Sequence, residues 1–212
     1  MRKLMAIPMA GIMALTLAAS ALAGPNVGNS SGTVTLAQAS WDSYDSDTEG
    51  SGYIVVGQEQ GGDSFAEYGE FSAEWVQCTG ADTPDDPDDD TFGTVGSNVW
   101  GYGPATLAIG KNFASATASG TLEAGRETFD ECTGEYSFEE LPALAFSLDL
   151  TATSGTVRES SRGSFKLPGE YNSHSSYKSI YRFAEGTIDL GAGAQEVYGQ
   201  IGTVSWRDHS NG

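Results

Sequence analysis

From Val157 to Gly186 the chain alternates between two kinds of side chain with a period of two. An extended strand sorts such a pattern onto separate faces, and a helix does not. Arg158, Arg162 and Lys166 share a parity with His174, Lys178 and Arg182. The opposite parity carries Val157, Phe165 and Leu167, then Tyr171, Tyr177, Tyr181 and Phe183. Pro168-Gly169 interrupts the run, so residues 157–167 and 171–183 read as an antiparallel hairpin. A two-residue Pro-Gly loop has the wrong twist for a hairpin. A three-residue loop, Pro168-Gly169-Glu170, sets Leu167 opposite Tyr171 and brings both basic runs to one side. The expectation is a basic face of Arg158, Arg162, Lys166, His174, Lys178 and Arg182 backed by an apolar one. The plainer reading is an outward face whose cations keep it wet.

The rest of the chain repeats the strand period. Leu144, Phe146, Leu148 and Leu150 alternate with Ala145, Ser147 and Asp149, the pattern of a core strand. Further strands are expected at 32–41, 53–58, 65–78, 94–100, 105–109, 112–123, 187–190 and 195–206. Gly101-Tyr102-Gly103-Pro104 reads as a turn between two of them. A Gly-Thr-aliphatic triplet recurs at Gly32, Gly93, Gly120, Gly155, Gly186 and Gly202, at uneven intervals, and reads as a bend or bulge opening a strand. Some ten short strands joined by Gly-rich turns predict an all-β fold, an antiparallel β-sandwich of jelly-roll type, with a closed soluble β-barrel as the alternative. An outer-membrane barrel needs an outward apolar band that the small-residue faces of 112–123 do not supply.

The chain opens MRKLMAIPMAGIMALTLAASALAG: two charges, an apolar run, then small residues. This predicts a signal peptide over 1–23, cleaved after Ala23, and a secreted protein, the periplasm being the alternative address. Residues 24–31 read as a flexible lead-in, 32–206 as a single β domain and 207–212 as a loose tail. No later stretch is apolar enough for a transmembrane helix. Without Arg2 and Lys3, 8 basic residues face 29 acidic ones, a formal charge of −21. That disfavours nucleic acid as a partner. Fifteen acids and no base lie between Gly24 and Gly110, whereas five of the eight bases lie in the hairpin. In an exported chain, Cys78 and Cys132 are expected to form one disulfide.

Three constellations could carry chemistry. The loop 80–91 holds Asp85, Asp86, Asp88, Asp89 and Asp90, oxygen ligands suited to Ca²⁺, though it lacks the EF-hand pattern and also reads as a solvated acidic loop. No other cofactor is expected. Trp100 and Tyr102 are the aromatics best placed for a sugar platform, whereas core filling accounts for Trp75 and Trp206. Glu70 and Glu74 share a strand face but stand ~13 Å apart, too far for a retaining glycosidase pair. His174 and His209 are the only histidines, and no Gly-x-Ser-x-Gly elbow accompanies them, so no catalytic residue is named.

The leucine-alternating strand with Thr153-Ser154-Gly155-Thr156, then Arg158, Arg162, Pro168-Gly169, Ser173-His174-Ser175, Arg182-Phe183-Ala184 and Gly186-Thr187, resembles a group of secreted bacterial β-sheet proteins with no assigned activity. The resemblance covers about residues 144–187 and implies export and β structure alone. The functional expectation is a secreted, non-enzymatic binding or matrix protein. It would recognise an anionic polysaccharide, or another copy of itself, through the basic face. The alternative is a jelly-roll polysaccharide-active enzyme, a glycoside hydrolase or lyase.

Overall fold

A computed structural model describes residues 29–44, 48–78, 92–167 and 171–211. The signal segment, the loop 80–91 with Asp85, Asp86, Asp88, Asp89 and Asp90, and the turn 168–170 lie outside the described residues. Nine strands follow in order: β1 Asn29–Tyr44, β2 Thr48–Glu59, β3 Ser64–Gln77, β4 Phe92–Ile109, β5 Ser115–Asp130, β6 Glu135–Ala152, β7 Val157–Leu167, β8 Tyr171–Asp189 and β9 Ala194–Asn211. They form one antiparallel sheet in the order β6-β5-β4-β3-β2-β1-β9-β8-β7, and β6 also pairs with β8. That last ladder joins Ser147–Ala152 to Ala184–Asp189, so the sheet curls into a ring.

The all-β antiparallel class read from the sequence stands. Its finer arrangement is one curled sheet in place of two stacked ones. Consecutive strands pair with each other, and the long strands give the sheet enough twist and length to bring β6 round to β8. Strands of up to 19 residues replace the shorter segments expected. Gly101–Pro104 lies within β4, where Pro104 pairs with Phe65 on β3. On the β5 side, a β-carbon at Gly103 would come within 2.6 Å of the Thr121 carbonyl oxygen. Glycine there permits a close strand approach in place of the expected turn.

β6 and β7 run in the same direction along one edge of β8. Ala152 pairs with Ala184 and Val157 with Tyr181, so the four intervening residues form a jog in what is otherwise one line. The jog is stitched down: Thr153 N donates to the Phe183 carbonyl at 2.8 Å, and Phe183 N donates to Ser154 Oγ at 2.8 Å. Both termini differ from expectation. Asn29 to Ser31 pair with His209 to Arg207, so part of the lead-in and most of the tail are strand. Each segment supplies the backbone partners the other lacks.

The inner face of the ring holds the main core, with Ile54, Leu122, Leu150, Ile188 and Ile201 fully buried. The leucine-alternating strand supplies Phe146, Leu148 and Leu150 to it, as expected. A second cluster, Val34, Leu36, Val204 and Trp206 with Tyr177 against it, sits on the opposite face of the sheet. The register requires this. Ala37 pairs with Ile201 in the core, whereas Val34 pairs with Val204 at the other parity. β8 serves both faces: Tyr181 is buried outward, Ala184 and Ile188 inward. Phe183, of the expected apolar face, is 40 % exposed.

Most of the glycines are explained by something other than a bend: a ring, a disulfide or a backbone carbonyl of a neighbouring segment lies where a β-carbon would stand. At Gly32 the added atom would come within 2.3 Å of Trp206, and at Gly52 within 2.2 Å of Trp41. Gly93 carries the Cys78–Cys132 disulfide above it. Among the triplet glycines only Gly155 has open space around it.

Candidate functional site: the basic face

The ladder between β7 and β8 pairs Leu167 with Tyr171 and Val157 with Tyr181, the register of a three-residue connection. Paired numbers therefore sum to an even value, and Arg158, Arg162, His174, Lys178 and Arg182 share one face. Lys166 has the same parity, opposite Asn172. This face continues the inner surface of the ring beyond the end where β6 gives way to β7. Arg158, Arg162, His174 and Lys178 are exposed. Arg182 is half-buried and its Nε donates to the Ser154 carbonyl at 2.7 Å, so it anchors the jog.

The structure adds two residues. Ser176 pairs with both Arg162 and Arg207, and His174 pairs with His209. Arg207 and His209 thus join the face from β9. Their signal was present in Trp206-Arg207-Asp208-His209, which continues the alternation of the strand before it. Taken in rows, the face reads Arg158–Ile180–Thr203, Ser160–Lys178–Ser205 and Arg162–Ser176–Arg207. With strands ~4.8 Å apart and ~3.3 Å per residue, its cations span about 13 by 10 Å. None of these rows contains an acid. Glu159 and Asp208 have the other parity. Glu159 accepts the Tyr181 hydroxyl at 3.0 Å, and Asp208 accepts Ser30 Oγ at 3.4 Å. Among the described residues the salt bridge found is Arg126–Glu139, far from this face, so no carboxylate neutralises Arg158, Arg162, Lys178 or Arg207.

At the other end of the ring, β3 to β6 project. Their inner face borders a hollow of about 650 Å³ lined by Glu74, Ser97, Thr128, Asp130, Glu135 and Ser137, among others. Asp130 and Glu135 oppose each other on the ladder. Asp130 Oδ1, however, accepts from the Cys132 and Thr133 amides at 2.8 and 3.2 Å, which commits it to the turn. No group of three or more His, Cys, Asp or Glu that could hold a metal occurs among the described residues.

Trp100 and Tyr102 lie on the outer face of β4, stacked with centroids 5.8 Å apart and planes 7° apart. They are remote from the basic face in both strand and side. Trp75 is 72 % exposed and fills no core, because its strand runs past the end of the ring. Trp206 is buried, as core filling requires.

Four tyrosines are held in the neutral form. Partial burial, and then the hydrogen bond and charge of Glu67, push Tyr53 up to about 12. Burial and Glu70 raise Tyr68, burial and Asp208 raise Tyr177, and burial and Glu159 raise Tyr181. A folded-state value raised above the unfolded one contributes stability below about pH 10, and that contribution is lost as the pH rises through the folded value. Denaturant midpoints should therefore fall between about pH 10 and about pH 12. Tyr53→Phe should flatten that fall, and tyrosinate absorbance should appear late in the native protein. An unchanged midpoint across this range would contradict the assignment.

Among the described residues no helix is long and apolar enough to cross a membrane. Cys78 and Cys132 are disulfide-bonded, which accords with an oxidising compartment outside the cytoplasm. No family model matches the chain, and no curated protein matches it. Among solved structures, the β domain of the Bordetella autotransporter Brka aligns over 86 % of this chain and 99 % of that one. The identity is 10 % and the TM-score 0.21, a likeness too slight to bear on fold or function.

Proposed function

We propose that this is a secreted, non-enzymatic protein that binds an anionic polysaccharide through the face built from Arg158, Arg162, Lys178 and Arg207. The observation that carries this reading is the absence of acids from that face among the described residues, in a chain with 29 of them. Like charges on neighbouring strands repel, so the arrangement costs stability until an anion offsets it. The cations are spread over three strands at about 13 by 10 Å, which suits the repeating charges of a polymer. Ser160 and Ser176 stand between them as hydroxyl donors. Nucleic acid would also present repeating charge, but the net charge of the chain opposes it. The amino-terminal signal pattern and the disulfide support export.

Lys178→Glu with Arg207→Glu tests the reading by equilibrium binding to polygalacturonate. Exposed charges contribute up to about 1 kcal/mol each, so the double reversal should weaken binding about tenfold. Wild-type affinity in the variant, or no binding by the wild type to polygalacturonate or a sulfated glycan, would refute it.

A second reading, self-assembly, is favoured by Glu74, Asp130 and Glu135 around the hollow at the opposite end. Sedimentation at low salt separates the two. Head-to-tail oligomers that dissolve on adding salt would favour a second copy as the anion.

A further inference from the structure

The outer face of β3 to β6 carries an aromatic surface that the basic face does not explain. Trp100 stacks on Tyr102 and on Phe138, with centroids 5.8 and 6.0 Å away. Phe129 stacks on Phe71 and Tyr136 at 6.2 and 6.4 Å. In all four pairs the ladder places these residues on one face: Phe71 opposite Asn98, Phe129 opposite Gly96 and Tyr136, and Trp100 opposite Gly125. Three of the rings rest on two glycines. A β-carbon at Gly125 would come within 2.7 Å of Trp100 and 3.0 Å of Phe138, and one at Gly96 within 2.8 Å of Phe129. Tyr53 covers Gly69 of β3 in the same way. The rings therefore settle against the sheet, and a flat apolar strip runs across the strands. Tyr102 is 54 % exposed, Phe138 59 % and Tyr136 69 %, although burying them would be favourable.

The chemistry around the strip selects its occupant. Glu67 and Glu123 flank Tyr102 on the two neighbouring strands, Glu127 pairs with Phe138, and Glu140 pairs with Gly125. No Lys or Arg shares these rows. Four carboxylates without a cation repel an anionic polymer and an anionic lipid surface. They accept hydrogen bonds from hydroxyl groups, and aromatic faces pack against C–H groups. A ligand with a flat C–H face and a rim of hydroxyls meets both demands. Tyr102 on β4 and Tyr136 on β6 lie two strands apart and about six residues apart along the ladder, ~20 Å, the reach of a short oligosaccharide. We infer that this face binds a neutral, β-1,4-linked polysaccharide, with Trp100 and Phe138 at its centre and Tyr102 and Tyr136 at its ends. The inference stands independently of the basic face, which lies on the other side of the sheet at the other end of the ring.

The test is titration of the full mature chain with cellohexaose, xylohexaose and mannohexaose, followed by tryptophan fluorescence and calorimetry. At least one should bind and perturb the fluorescence. Tyr102→Ala and Phe138→Ala, both at exposed positions, should each weaken it about tenfold. Melting temperature and polygalacturonate binding should stay as in the wild type. Three results would each overturn the inference: no binding of any of the three hexasaccharides, wild-type affinity in both variants, or binding to neutral phosphatidylcholine vesicles alone.

Discussion

Gly186→Ala should open the ring between β6 and β8. Gly186 pairs with Leu150 at the middle of the short ladder that closes the sheet. A β-carbon there would stand 1.8 Å from the Asp149 carbonyl oxygen and 2.9 Å from Leu150 Cα. These are backbone atoms, so no rotamer change relieves the clash. The strands must separate, and Leu150 and Ile188, both fully buried, lose their packing with them. Overpacking of this kind costs about 3 kcal/mol. Gly155→Ala is the matched control, because nothing lies within 4 Å of the added carbon. It should shift stability by no more than about 0.5 kcal/mol. Equal urea midpoints for the two variants would mean that the β6–β8 ladder does not close the ring.

Removing the disulfide with Cys78→Ala and Cys132→Ala should have an effect of similar size. The cysteines are 54 residues apart, and the bond straddles Gly93 of β4, tying the end of β3 to the turn after β5. Cross-linking a loop of that length lowers the entropy of the unfolded chain by the equivalent of about 4 kcal/mol. The loss should be largest in global unfolding and also visible locally. Glu131 N donates to the Thr94 carbonyl at 3.0 Å and Thr94 N donates to Glu131 at 2.8 Å, so the two segments are held beside the bond. Hydrogen exchange at Thr94 and Glu131 should quicken in the variant before the core strands respond. A melting temperature equal to the wild type would show that the ladders alone hold this end.

The hairpin register was legible because parity and turn chemistry are local. Pro168-Gly169 and the alternation around it allow one loop length that keeps tyrosines together, and the Leu167–Tyr171 pair follows. The buried strand ending at Leu150 was legible for the same reason. The role of the glycines was not. Gly32 is required by Trp206 and Gly186 by Asp149, partners set by closure of the sheet and not by sequence neighbours. The terminal strand residues were missed because Asn29 to Ser31 and Arg207 to His209 look like loose polar ends until they are paired. Likewise no strand is expected over 135–140 from the sequence, yet Tyr136 and Phe138 alternate with Glu135, Ser137 and Glu139 at strand period. Half of the aromatic surface was therefore hidden behind its own carboxylates. For the candidate site, local alternation supplied the cations of β7 and β8, and long-range pairing supplied Arg207.

The salt dependence of polygalacturonate binding tests the central claim most directly. Binding by an acid-free cationic face should weaken steadily as ionic strength rises, since exposed charges are screened beyond about 10 Å at ~0.1 M salt. Arg162→Gln with Arg207→Gln should bind more weakly at low salt and show a shallower dependence, because fewer charges remain to be screened. Binding that is indifferent to salt, or a double variant with the slope and affinity of the wild type, would contradict the account.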